Sequence, residues 1–306
     1  MTKPKIEWVE IPAGEFVFGV SDDQMSSIRE QLWTEYGPPA GDVRTRSILH
    51  SMLEKFSQRR FTELSKEEWQ FAKDDQFTPV LAGEGIMRDW IPQQMVRLDK
   101  FWISRYPITM DQLDEFLLDP SAGELKDRYY NPVRSEVGKI PHMPAMADWH
   151  LADLFCQWIG ARLPTETEWE KAARGTDGRL YPWGNEWDAS RGNFSSNRNA
   201  PGRPPTSVFG PSTTPVDSYP SGVSPFGVWD MAGNLYEWTS TIVVRDDGLE
   251  GPMLRSKGVN DYSIPWFDAL VFQRPAGGFA PDDYFEYTGF RPMKDRWQKL
   301  FWRGWK

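Results

Sequence analysis

The sequence predicts an α+β fold that is loop-rich, with short antiparallel strands and two main helices. Three observations carry this. Residues 7–19 and 95–106 alternate apolar and polar positions, the period-two pattern of half-buried strands. Residues 109–118 and 147–159 instead place their apolar side chains at helical spacing. Finally, 25 glycines and 25 prolines stand in a 306-residue chain with 16 Trp, 18 Phe and 10 Tyr. So many punctuating residues beside so many large rings describe irregular backbone pinned by aromatic packing.

The elements follow in chain order. Between Glu7 and Gly19 a Pro-Ala-Gly turn separates two alternating runs, which reads as an N-terminal hairpin. From about Ser21 to Ile91 the chain turns charged and helical. One helical face there carries Ile48, Leu49, Met52, Leu53 and Phe56, and Ser65-Lys-Glu-Glu is a capping-box start for a short helix to about Asp74. The strand pattern resumes at Met95 and the two amphipathic helices follow. After Gly160 the chain becomes irregular, and residues 175–230 hold scattered aromatics among Gly, Pro, Asn and Ser. A stretch of that length points to a functional or metal-clamped loop. No repeat or low-complexity linker marks a second domain. The expected organisation is one domain over 1–291, with a helical insertion at about 21–91 and a basic aromatic tail at 292–306.

Composition excludes several functions. The formal net charge of −9 repels phosphate backbones, so no nucleic-acid partner is expected. No apolar run approaches the roughly 18 residues of a membrane span, and no apolar segment follows the early lysines as in a signal peptide. A membrane partner is therefore not expected either. Cys156 is the one cysteine, which excludes a disulfide framework, a thiolate zinc cluster and a CxxC redox pair. A reducing cytoplasm is the expected compartment.

Four stretches together resemble the formylglycine-generating enzyme, or sulfatase-modifying factor, family. They are Ile11-Pro-Ala-Gly-Glu-Phe-Val-Phe-Gly; Phe101-Trp-Ile-Ser-Arg-Tyr-Pro-Ile-Thr; the run from Trp149 through Arg162-Leu-Pro-Thr-Glu-Thr-Glu-Trp-Glu-Lys-Ala-Ala-Arg-Gly to Tyr181-Pro-Trp-Gly-Asn; and Gly227-Val-Trp-Asp-Met-Ala-Gly-Asn-Leu-Tyr-Glu-Trp-Thr with the late Thr288-Gly-Phe-Arg. They cover most of the chain apart from 21–91. The resemblance implies a C-type lectin-like fold, whose members are copper-dependent oxidases, non-haem iron oxygenases or ligand-binding proteins without chemistry. Fold alone does not choose among these.

The site residues do. Formylglycine synthesis in the family uses two cysteines near the C-terminus, and soft thiolates are what Cu(I) requires. Aligned on Leu254-Arg-Ser-Lys-Gly and Gly289-Phe-Arg, those positions fall near Ser263 and Asp268, so no catalytic residues are expected. Cys156 reads as a small buried apolar side chain. For iron, only His50, His142 and His150 exist; Asp148 with His150, and His142 upstream, form the one compact carboxylate–imidazole group. Iron and copper are not expected. Calcium is: the resemblance implies a loop in which Asp230 and Glu237 through side chains, and Gly233 and Leu235 through backbone oxygens, wrap one ion, and hard oxygen ligands on a tight Gly-containing turn suit Ca2+. A second family site falls on Asn193 and Phe194 with Ser207 and Phe209, but an aspartate is expected where Ser207 stands, so that site has lost a charge.

The leading expectation is a non-catalytic protein or peptide recognition module. Its surface is expected at 255–291, through Asn260, Tyr262, Trp266, Phe267, Tyr284 and Tyr287, a composition of rigid aromatics among small polar residues. The insertion 21–91 and the tail residues 293–306 would add partner contacts. The alternative is a metal-dependent oxygenase of the same fold using His142, Asp148 and His150.

Overall fold

The computed structural model describes residues 3–38, 41–57, 65–66, 68, 87, 90–124, 142–194, 213–244, 248–255, 264–274, 279–283 and 287–295. The first strands are β1 (Trp8–Ile11) and β2 (Gly14–Phe18). They do not form the expected hairpin. β1 pairs antiparallel with β4 (Phe101–Ser104), and β2 pairs with β3 (Gln94–Leu98). The physical reason lies at the corner between them. The Lys171 ammonium donates to Pro12 O and Gly14 O, both at 2.9 Å. These turn carbonyls are thereby satisfied from the core side, and the chain steps from one sheet into another.

Two helices, α1 (Asp22–Tyr36) and α2 (Val43–Ser57), open the insertion. A reciprocal capping box, Ser21 with Gln24, starts α1. Of the apolar face predicted for α2, Leu49 and Met52 are buried and Ile48 is half-buried. The Ser65 start is also as expected: Ser65 N donates to Glu68 Oε2 and Glu68 N to Ser65 Oγ. The insertion is part of the main core, because Ile28, Leu32, Met87 and Trp90 share one apolar cluster with Ile11, Phe101, Trp169 and Phe267.

Beyond β4 come α3 (Met110–Leu117) and α4 (Trp149–Ile159), the two helices the spacing predicts. Asp148 caps α4 by accepting from Leu151 N at 2.8 Å, and left-handed Gly160 ends it. Helix α5 (Glu166–Arg174) was not expected in the segment read as irregular. Its signal was nonetheless present, since Thr165 and Glu168 form a capping box. The described parts of 175–230 hold short 3-10 turns and an isolated Tyr181–Gly184 bridge. The second half of the fold is β5 (Tyr236–Val244) between β6 (Glu250–Arg255) and β7 (Thr288–Gly289), parallel to the latter. A single helical turn, α6 (Pro265–Asp268), lies between β6 and β7. Strand β8 (Met293–Asp295) then completes the β1–β4 sheet. Residues 293–295 thus belong to the domain rather than to a tail, with Lys294 Nζ 4.0 Å from the centroid of the Trp8 ring. The rest of the predicted tail, 296–306, lies outside the described residues. Among the described residues no helix is long and apolar enough to cross a membrane.

Candidate functional site

The loop that enters β5 is held by backbone conformations only a few residue types accept. Asp230, Gly233 and Asn234 have φ of 54°, 77° and 64°, the left-handed region that glycine and asparagine tolerate best. A Cβ on Gly233 would sit 2.7 Å from both Asn193 O and the Phe194 ring, so the position also lacks room for a side chain. Asn234 is fully buried and joins three segments. Its Nδ2 donates to Thr214 O at 3.1 Å and Asp230 Oδ2 at 3.2 Å, while its Oδ1 accepts from Thr214 N and Asn193 Nδ2. This clasp role went unassigned from sequence; a buried Asn directly after an obligatory Gly was its one signal.

Two carboxylates of the predicted calcium set, Asp230 and Glu237, are both buried here. Glu237 accepts from Arg291 Nη2 at 2.6 Å, Arg291 Nε at 2.7 Å and Trp169 Nε1 at 2.9 Å. Arg291 is itself wholly buried and also donates to Trp229 O at 2.9 Å and Ser104 O at 3.3 Å. It thereby ties the loop to the β1–β4 sheet, a role the Gly-Phe-Arg motif alone did not reveal. Burial pushes the Asp230 carboxyl up to about 7; Arg291 opposes this and Glu237 reinforces it. Gly233 O accepts from Leu235 N at 2.8 Å, and Leu235 is buried. Asn193 and Phe194 flank this same loop, whereas Ser207 and Phe209 lie outside the described residues.

A consequence follows for metal-free protein. The Asp230 pKa is higher folded than unfolded, so its contribution to stability is present below the unfolded carboxylate value and is lost as pH rises from about 4 through about 7. In chelator-treated protein, Asp230→Asn is expected to flatten that part of the stability–pH profile measured by urea unfolding. An unchanged profile would contradict the burial argument.

The remaining predicted residues are placed as follows. Trp266 and Phe267 are interior, at 5% and 1% exposure, not on an accessible surface. The insertion covers them: Glu35 Oε2 accepts from Trp266 Nε1 at 2.8 Å, and Trp90 stacks on Phe267 at 5.4 Å. Tyr287 is also buried, in a cluster with Met110, Met143 and Met146. These three are corrected from surface to core, because burying large rings outweighs their polar edges. Asn260, Tyr262, Ser263 and Tyr284 lie outside the described residues, and Asp268 is buried at the end of α6. Cys156 is wholly buried and burial pushes its thiol well up, as its small-apolar reading requires.

The candidate iron group is not brought together. His142 pairs with Asp217 at 2.8 Å, His150 faces Asp282 at 3.7 Å, and Asp148 is engaged as a helix cap. Among the described residues no three His, Cys, Asp or Glu side chains converge as a metal group. His150→Ala is accordingly expected to change stability by no more than about 0.5 kcal/mol, as at other exposed positions. Loss of bound iron in that variant, read by elemental analysis, would overturn this placement.

A left-handed loop clasped by a buried Asn, a buried Glu–Arg pair and a short parallel β5–β7 contact form the centre of an α+β scaffold. The chain belongs to the sulfatase-modifying factor enzyme 1-like family, which it matches over residues 2–296. It is a member without the catalytic cysteine pair, having one cysteine in all. Mouse inactive Cα-formylglycine-generating enzyme 2 is 39% identical over 288 residues, covering 92% of this chain and 84% of the mouse protein. Serine/threonine-protein kinase Pkn1 of Chlamydia trachomatis is 36% identical over 173 residues, 51% of this chain and 25% of the kinase. The chain thus spans about a quarter of the length of the kinase relatives it matches. Hercynine oxygenase of Mycolicibacterium smegmatis is 29% identical over 209 residues, 59% of this chain and 45% of the oxygenase.

Proposed function

We propose that this chain is a non-catalytic member of the family that acts as a protein or peptide recognition or accessory module. The observation that carries the reading is the thiol inventory. Cu(I) chemistry on a substrate cysteine needs thiolates that can reach it, and the one thiol here is sealed in the core at 0% exposure. The likeness to a mouse protein named as inactive supports the same reading. Recognition is assigned to the remaining residues of the 255–291 set, Asn260, Tyr262 and Tyr284, which lie outside the described residues. The lone reduced cysteine suits the cytoplasm.

Calcium is part of the proposal. Glu237 pairs its buried carboxylate with the Arg291 guanidinium, and the buried Asp230 carboxyl lies within the field of both, so a divalent cation would offset the residual negative charge. The residues that would hold it are Asp230, Gly233, Leu235 and Glu237. Its role would be to pin the loop.

The decisive experiment incubates the whole chain with Cu(I), oxygen and a cysteine-containing sulfatase peptide. No conversion to aldehyde is expected by mass spectrometry, and detectable conversion would sink the reading. For calcium, elemental analysis is expected to return about one ion per chain. Chelation should lower the melting midpoint by roughly 5 °C, the loss of some 2–3 kcal/mol of binding stabilisation. A midpoint indifferent to chelator and added Ca2+ would refute the calcium part alone.

A further inference from the structure

A groove of about 520 Å³, lined by Trp183 to Ala189 and Arg191, opens beside the Tyr181–Gly184 turn. Two half-buried indoles wall it. Trp183 lies flat on Tyr181, centroids 5.3 Å apart and planes within 5°, and its Nε1 donates to Glu186 O at 2.9 Å. Trp187 meets Trp183 at 6.3 Å and is braced from behind by Phe194 at 4.9 Å. Both rings are therefore locked before any ligand arrives, so binding orders little that is not already ordered.

The polar groups around these rings differ in what they have left to offer. Asp188 and Arg191 neutralise each other at 2.9 Å, and Arg191 Nη1 is further engaged by Ser221 O. Asn185 Oδ1 accepts from Leu180 N at 3.0 Å. That leaves Asn185 Nδ2 and Trp187 Nε1 as donors, and the Glu186 carboxylate as an anion, with no protein partner among the described residues. The groove thus presents two flat apolar walls, two unspent donors and one unpaired negative charge.

A complementary ligand must present acceptors for the two donors, flat apolar bulk, and a single positive group whose N–H donors meet Glu186. A polyproline II segment has these features: proline carries no N–H, its carbonyls point outward unbonded, and its preformed helix loses little entropy on docking. A neighbouring Lys or Arg would answer Glu186. A neutral sugar fits less well, because its many hydroxyl donors would compete for one carboxylate and leave that charge uncompensated. We propose that the Trp183–Trp187 groove binds a proline-rich peptide bearing a basic residue. This site uses none of the residues of the recognition stretch proposed above, and its failure would leave that reading standing.

The test titrates the whole, isotope-labelled chain with acetyl-Pro-Pro-Pro-Arg-Pro-Pro-Pro-amide, following indole N–H resonances by NMR and affinity by calorimetry. Saturable binding that shifts the Trp183 and Trp187 resonances is expected. W187F keeps the ring and loses the donor, and should weaken binding about fivefold to tenfold, the loss of one net hydrogen bond. E186Q should weaken it several-fold and remove most of its salt dependence. Both variants sit at the surface rim, so unchanged melting midpoints would show that folding is not at issue. No saturation at millimolar peptide, affinity unaltered in both variants, or shifts produced by cellotriose and not by the peptide would each overturn the proposal.

Discussion

Arg291→Leu is expected to lower the unfolding free energy by about 3–5 kcal/mol, the range for removing one partner of a buried ion pair. The guanidinium is wholly buried and answers both oxygens of Glu237, which is itself wholly buried. Leucine would strand that carboxylate beside Asp230, and would also release Trp229 O and Ser104 O. Urea unfolding of the variant measures the loss. Arg291→Lys should fall between, since an ammonium keeps the charge but not the planar fork. The double variant Glu237→Leu/Arg291→Leu should be less destabilised than the two single losses added together, because it removes both charges at once. A purely additive cycle would mean that the two side chains act separately and that the loop is held by something else.

The second large effect is at Trp169. Trp169→Ala should cost about 3–5 kcal/mol, as other full truncations of buried large aromatics do. The indole is completely buried in the main apolar cluster, donates Nε1 to Glu237 Oε2 at 2.9 Å, and lies 5.4 Å from the Arg255 guanidinium carbon. It therefore couples helix α5 to the Arg291 site on one side and to Glu170 and Arg255 on the other, where Arg255 Nη2 meets Glu170 Oε2 at 2.6 Å. Trp169→Phe should retain most of the packing and lose about 1 kcal/mol for the missing hydrogen bond, plus a small volume term. Equal losses in the Ala and Phe variants would show that the hydrogen bond, and not burial, dominates. Both predictions lie on the path from sequence to packing, and both concern the scaffold of the loop rather than a reaction.

Local pattern revealed the elements whose evidence is local. The amphipathic runs became α3 and α4, the Ser65–Glu68 capping box formed its reciprocal bonds, and the alternation around residue 95 became β3 and β4. The same kind of signal at Thr165–Glu168 was present and overlooked amid the irregular surroundings of α5. Pairing was less legible. Two strands joined by a Pro-Ala-Gly corner suggest a hairpin, yet each found a partner more than 70 residues away. Nothing local encodes a buried Lys171 waiting to satisfy the corner carbonyls.

The same division runs through the candidate site. The sequence by itself determined the family scaffold, the absence of a second thiol and the acidic, glycine-bearing loop for which calcium is proposed, because residue identity and short spacing are read directly from a chain. Only the tertiary structure decided that Arg291 and Trp169 converge on Glu237, that Asn234 joins three segments, and that Trp266 and Phe267 are covered by the insertion rather than offered to a partner. The reason is physical: an aromatic-rich segment has the same composition whether it faces water or a core. Which outcome holds depends on apolar surface supplied from elsewhere in the chain, here by Trp90 and by Ile28 and Leu32 of α1.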